Sequence, residues 1–308
     1  HKAIRRQRQM CIRDRTLRGK ENFEITKRGI CRQMIKALAI VKKAAAKANV
    51  DALNIDEKVG KAIILACDEI LNGRLHGQFV TDLIQGGAGT SMNMNANEVI
   101  ANRANELLGG KKGVYDFVHP NDHVNFGQST NDVIQTAGKI AIVKQLKKLQ
   151  VELKKLYNAY LNKATEFKDV IKMGRTHLQE ALPLRLGQEF SAYASALNRD
   201  MKRIDVAIEA LLEVNMGATA IGTSLNANEK YRKKVIYYLN KFSGEQIKPA
   251  KDLIDATRNF DTFGQASSTL KLLALNLSKT ASDLRLMASS GSNGFSEITL
   301  PHVQPGSS

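Results

Sequence analysis

Short hydrogen-bond donors without negative charge gather at four places in this chain. They are Thr90 and Ser91; Ser129, Thr130 and Asn131; Thr176 and His177, flanked by Lys172 and Arg175; and the final Gly306-Ser307-Ser308. Hydroxyls, amides and loop N–H groups of this kind cradle carboxylates. As a set they suit a small dicarboxylate, and a Gly-Ser-Ser run after a long helical stretch suits a mobile loop carrying a reactive serine. Taken singly, each Ser or Thr also fits a helix cap. Ser129 and Thr130 stand just ahead of a helical stretch, so capping remains beside ligand binding as their role.

Other candidate chemistry is weaker. The run Gly86-Gly87-Ala88-Gly89-Thr90 lacks a following Gly-Lys-Ser/Thr and a preceding hydrophobic strand, and Gly109-Gly110-Lys111-Lys112-Gly113 lacks the spacing. Neither is a phosphate loop. His119, Asp122 and His123 are close in sequence but not at zinc-ligand spacing, and Pro120-Asn121 predicts a turn there. No metal site is therefore expected. The net charge of +16 invites nucleic acid as a partner. Its distribution argues otherwise: residues 1–15 hold six Lys/Arg against one Asp, and the rest lies along helix faces, as at Lys144, Lys147, Lys148, Lys154 and Lys155. Neither nucleic acid nor membrane is expected as a partner. No apolar run reaches the roughly 18 residues that cross a bilayer. The three cysteines, Cys11, Cys31 and Cys67, show no paired spacing, so reduced thiols in a cytoplasmic protein are expected.

These residues must be held by helices. Over 138–165, Ile142, Leu146, Leu149, Leu153, Leu156 and Tyr160 recur at steps of three and four. Over 187–214, Phe190, Ala194, Leu197, Met201, Ile204, Ile208 and Leu211 do the same, and over 264–289 so do Leu270, Leu273, Leu277, Ala281, Leu284 and Met287. Each stripe predicts a long amphipathic helix with these residues in the core. Such long helices with narrow seams call for partners on more than one side, hence a bundle extended by oligomerisation. Shorter helices are predicted over 24–48 and 56–73. The stretch 74–137, rich in Gly, Asn, Asp, Ser and Thr, makes poor helix interior and favours turns, caps and ligand contacts. The fold class is mainly α. Residues 1–15 fit no downstream pattern, and Met10-Cys11-Ile12-Arg13-Asp14 reads like translated adapter sequence, so they are set aside as a non-native leader. Residues 16–130 form an N-terminal domain and 131–308 a central helical bundle.

The motifs Gly89-Thr90-Ser91-Met92-Asn93-Met94-Asn95-Ala96-Asn97-Glu98, His119-Pro120-Asn121-Asp122-His123-Val124-Asn125, Gln128-Ser129-Thr130-Asn131-Asp132, Gly174-Arg175-Thr176-His177 and Gln304-Pro305-Gly306-Ser307-Ser308 together resemble the aspartase/fumarase superfamily. The resemblance runs from Thr16 to the last residue, in the family's order. Gly89-Thr90-Ser91 and Gln128-Ser129-Thr130-Asn131 are similar to its aspartase branch, with class II fumarase as the alternative. The resemblance implies loss of ammonia from L-aspartate to give fumarate by anti elimination, with no organic cofactor. It implies Ser307 as general base, Thr90, Ser129 and Thr130 on the developing carboxylate, and Asn131, Thr176 and His177 on the rest of the substrate. It also implies a homotetramer built on a helix bundle, with these clusters drawn from different subunits.

The sequence departs from the family pattern at several positions. The Lys and Asn that follow the serine loop in the family, the last bundle helices and the small C-terminal domain lie outside these 308 residues, so the chain is expected to be inactive as it stands. Gly291-Ser292-Asn293 stands where Gly-Pro-Arg is more usual, Gln135 where proline is common, and Ser224 where glycine is frequent.

Overall fold

Alanine sets the geometry of the N-terminal part. Between 37 and 48 small and branched apolar residues are interrupted only by Lys42, Lys43 and Lys47. A helix apolar on nearly all sides must be covered on nearly all sides. The computed structural model describes residues 14–289, 293–304 and 306. In it α1 (Asp14–Asn22) is followed by α2 (Arg32–Asp51), which packs against α3 (Glu57–Leu71) and, far along the chain, α7 (Glu229–Ser243). Ile35, Leu38, Val41, Ala45 and Ala48 of α2 are buried with Ile63 and Ile70 of α3 and Tyr231, Val235 and Leu239 of α7. Asp56 starts α3 by accepting from the Lys58 and Val59 amides, and Asn228 starts α7 by accepting from the Tyr231 amide.

The Asn-rich stretch departs from expectation. Residues Thr90–Leu107 form an 18-residue helix, α4, with Asn93, Asn95, Asn97, Asn102 and Asn105 all buried. Asparagine is a poor helix former because its amide competes with the backbone. Here the amides are used instead to brace loops against the helix. The Val80 N–H donates to Asn95 Oδ1, and Asn95 Nδ2 donates to the Gln78 carbonyl. The Gly113 N–H donates to Asn102 Oδ1; the Phe117 and Val118 N–H groups donate to Asn105 Oδ1. Tertiary hydrogen bonds outweigh the low intrinsic propensity.

The long helices follow as predicted: α5 (Thr130–Glu166), α6 (Leu186–Leu211) and α9 (Asp261–Met287). Strands β1 (Ile171–Thr176) and β2 (Gln179–Arg185) form an antiparallel hairpin between α5 and α6. β3 (Glu213–Val214) and β4 (Lys248–Pro249) make a short parallel pair, and α8 (Leu253–Arg258) precedes α9. The described residues divide into two units, one within 1–144 and 210–260, the other within 145–209 and 261–308. In the second, Leu186, Phe190, Tyr193 and Met287 are buried, with Tyr160, Phe167 and Leu284 packed against them. One detail of the α9 stripe is corrected. Its buried row is Ala266, Thr269, Leu273, Thr280 and Met287, while Leu270 and Ala281, assigned to the core from periodicity, are exposed. The three-four spacing locates a stripe but leaves its edges undecided when the neighbouring helices cover a narrower face.

Candidate functional site

Two helices begin at one cleft in the first unit. Gly89, with φ +89°, turns the chain in the left-handed region that favours glycine, and Thr90 is the first residue of α4. Thr130 is the first residue of α5. Both line a cleft of about 930 Å³ together with Asn93, Asn125, Ser129 and Thr219. Helix N-termini present unpaired N–H groups and the positive end of the macrodipole, so two of them at one cleft favour an anion. Among the described residues that line it, Arg15 is the one that carries a charge, and no carboxylate does.

Ser129 fulfils the capping role as well: its Oγ accepts from the Asn131 N–H at 3.2 Å, while its own N–H donates to Asp132 Oδ1 at 2.9 Å. That reciprocal pair is a capping box. Thr130 Oγ1 accepts from Asn93 Nδ2 at 3.2 Å, which fixes the hydroxyl against α4. Asn131 is not in the cleft wall; its Nδ2 donates to the Ala220 carbonyl at 2.6 Å, tying α5 to the 219–226 loop that forms the far wall. Gln135, where proline is common, donates to the Thr257 carbonyl.

Sequence reading missed the groups beneath the cleft. Asp132 is fully buried, and its Oδ2 accepts from the Gly217 and Thr219 N–H groups at 3.1 Å each. Desolvation pushes this carboxyl up to about 6, against the pull of those N–H groups and of Lys42. Lys42 is also fully buried; its Nζ donates to Asn125 Oδ1 at 2.7 Å and Gln128 Oε1 at 3.0 Å. Burial brings it down to about 7, with Asp132 opposing. The available signal was a lysine in the 37–48 window set directly after the apolar run Ala37–Val41, although Lys43 and Lys47 in the same window do not share its burial. Arg15 was missed because it fell in the segment set aside. It is part of α1, lines the cleft, and its N–H donates to Glu98 Oε1 at 3.3 Å.

Thr176 and His177 belong to the second unit, at the tip of the β1–β2 hairpin. His177 (φ +50°) and Leu178 (φ +61°) are the two turn residues, the signature of a type I′ turn built without glycine. Such backbone strain persists where the surroundings hold it. Lys172 and Arg175, which flank this cluster, are occupied. Lys172 Nζ lies 2.8 Å from Glu297 Oε2 and 3.0 Å from Glu189 Oε2, and Arg175 Nη2 donates to Glu297 Oε1 at 2.6 Å. Ser307 lies outside the described residues. Among the described residues no group of three His, Cys, Asp or Glu side chains is arranged to hold a metal ion. No helix among them is long and apolar enough to cross a membrane.

The arrangement is one that suits an anion. A family model described as lyase matches residues 5–308, and the chain belongs to that family, within the aspartase/fumarase superfamily. Among curated proteins it is 56% identical over 293 residues to aspartate ammonia-lyase of Bacillus subtilis, covering 95% of this chain and 62% of that protein. The Escherichia coli (strain K12) aspartate ammonia-lyase is 47% identical, with 95% and 62% covered. The chain thus spans a little under two thirds of the curated relatives it matches. Among solved structures, a fumarate lyase:delta crystallin from Brucella melitensis superposes with a TM-score of 0.95 at 46% identity, over 97% of this chain and 66% of that one. A class II fumarase from Schistosoma mansoni does so with 0.93 at 33% identity, over 97% and 66%. The mainly α fold expected from sequence is the fold of these lyases.

Proposed function

We propose that this chain carries most of the substrate site of an aspartate ammonia-lyase, which converts L-aspartate to fumarate and ammonia. The observation that carries the proposal is the cleft where α4 and α5 begin, with Thr90, Ser129 and Thr130 in its wall and no carboxylate among the described residues that line it. In the reaction a base removes a proton from the β-carbon, the C–H electron pair becomes the double bond, and the C–N bond breaks on the opposite face. Negative charge builds on the carboxylate next to the carbanion, and stabilising it is the larger energetic task. Thr90, Ser129 and Thr130, at the positive ends of two helices, are placed for that charge. Ser307 is the base; at its ordinary pKa a serine is a weak one, so its alkoxide needs amide or cationic support. Asn131, Thr176 and His177 hold the remainder of the substrate, with the clusters of one site contributed by different copies in a homotetramer. The chemistry needs no organic cofactor.

Hydration of fumarate, the class II fumarase reaction, uses the same charge stabilisation and is the second reading; the Schistosoma mansoni neighbour favours it, at lower identity than the aspartases. The test is made on protein extended through the residues that the relatives carry beyond this span. Absorbance of fumarate should rise with L-aspartate; a rise with malate alone would overturn the aspartase assignment. Ser307→Ala in that protein should lower turnover by roughly a hundred-fold or more. Near-normal turnover would remove Ser307 from the role of base.

A further inference from the structure

We propose that Lys42, which does not itself line the cleft, is the positioning residue that sets the dicarboxylate affinity of the cleft, by holding its Asn125–Gln128 wall and by placing a positive charge beneath it. This rests on the reading of the cleft as the dicarboxylate site.

The geometry is specific. Lys42 Nζ is fully buried and donates to two neutral amide oxygens, Asn125 Oδ1 and Gln128 Oε1, both from residues of the cleft wall. No described carboxylate is in ion-pair contact with it. Asn125 passes the constraint on: its Oδ1 also accepts from Asn93 Nδ2, which donates in turn to Thr130 Oγ1. Asn125 Nδ2 donates to the Gln128 carbonyl and closes the turn just before Ser129. One ammonium therefore orients the amide that orients Asn93 and, through it, the Thr130 hydroxyl. A buried cation without a contacting counter-ion is costly. A dicarboxylate in the cleft would supply the missing countercharge.

The other titratable groups around α2 leave this charge exposed to the cleft. From α3 come Cys67, held neutral by burial, and Asp68, which pairs with Lys43. From α7 comes Tyr231, whose hydroxyl is pushed well up and stays neutral, and Tyr238, bonded to Asp51. The wide turn over 120–124 brings His123, whose ring is held below its ordinary value by burial. From α4 come Glu98, which binds the N-terminus of α1, and Glu106, which pairs with Arg103 and Lys112. From the start of α5 comes Asp132, already bonded to three backbone N–H groups. Lys42 loses its proton around pH 7 and Asp132 gains its negative charge around pH 6. Between pH 6.5 and 8.5 the field beneath the cleft accordingly changes from balanced to negative.

The probe is succinate, an unreactive dicarboxylate, measured as a competitive inhibitor of the extended protein. Its Ki should rise about ten-fold between pH 6.5 and 8.5, the equivalent of one pK unit of coupling. Lys42→Arg, charged throughout, should bind tightly with a flat profile. Lys42→Met should bind about ten-fold more weakly at pH 6.5, also with a flat profile. A folded Lys42→Met with the parent's Ki and pH profile overturns the proposal. If neither variant folds, the parent protein decides, and a flat profile overturns it. Turnover of aspartate without any effect of Lys42 removes only this proposal; absence of both turnover and succinate binding removes the reading of the cleft with it.

Discussion

Ser224 sits at φ +57°, in the region where a side chain crowds the following carbonyl. The 217–226 loop around it closes one wall of the cleft. Its neighbour Gly222, at φ +94°, is packed so closely that a Cβ would lie 2.4 Å from Ile254 Cα. Gly222 is thus required both for its dihedral and for its missing side chain. Ser224 needs glycine only for the dihedral, and its hydroxyl accepts a long contact of 3.4 Å from Arg232. Ser224→Gly should therefore stabilise the protein by about 1 kcal/mol. Differential scanning calorimetry would show this as an increase of roughly 2–4 °C in a protein of this size. A lower melting temperature would mean that the Arg232 contact outweighs the strain.

At the scale of elements, two devices hold the irregular segments. In the first unit the buried asparagines of α4 clamp the loops on either side of it. In the second, Lys172 and Arg175 of β1 clasp Glu297, which ties the 293–304 segment to the hairpin. Arg175 also lies over the Phe295 ring at 3.9 Å. The side chains of Lys172 and Glu297 are 7% and 14% exposed, so neither charge is well served by water. Glu297→Gln should cost about 1–3 kcal/mol at neutral pH, because Lys172 loses one of its two carboxylates. The paired cations hold the Glu297 carboxyl below its ordinary value. A depressed carboxyl stabilises the fold above its unfolded-state pKa and loses that contribution as pH falls through the folded one. Urea denaturation of parent and Glu297→Gln should consequently differ at pH 7 and converge as pH falls below the ordinary carboxylate range. A difference independent of pH would show that packing, not charge, is what Glu297 supplies.

At the scale of the whole molecule, apolar side chains remain uncovered on the long helices. Val206 of α6 is 58% exposed, and Leu272 and Leu275 of α9 are 44% and 56% exposed. Uncovered rows of this kind on a folded chain mark association surfaces. They are the faces that the proposed homotetramer would bury. Replacing Leu272 and Leu275 with Glu should reduce the sedimentation coefficient of the extended protein toward that of a single chain. A parent that already sediments as a single chain would contradict the tetramer.

Much of this was legible from residue order. Period and length alone located α5, α6 and α9 within a few residues, because a long apolar stripe has few other ways to be buried. The motifs around Thr90, Ser129 and Thr130 suggested carboxylate binding from their short neutral donors, and the fold brings all three to one cleft. What order along the chain could not express was which neighbours each side chain would meet. The asparagines of α4 read as loop because their partners are other segments' backbone groups, supplied only on folding. Leu270 read as core because periodicity does not know the width of the opposing face. Lys42 carried no reading of its own in the sequence, and became a buried charge only when α2 was enclosed by α3 and α7. Local chemistry and period are properties of the sequence itself. Desolvation and hydrogen-bond partnership are properties of the packed neighbourhood, and in this protein they decide where its buried charges lie.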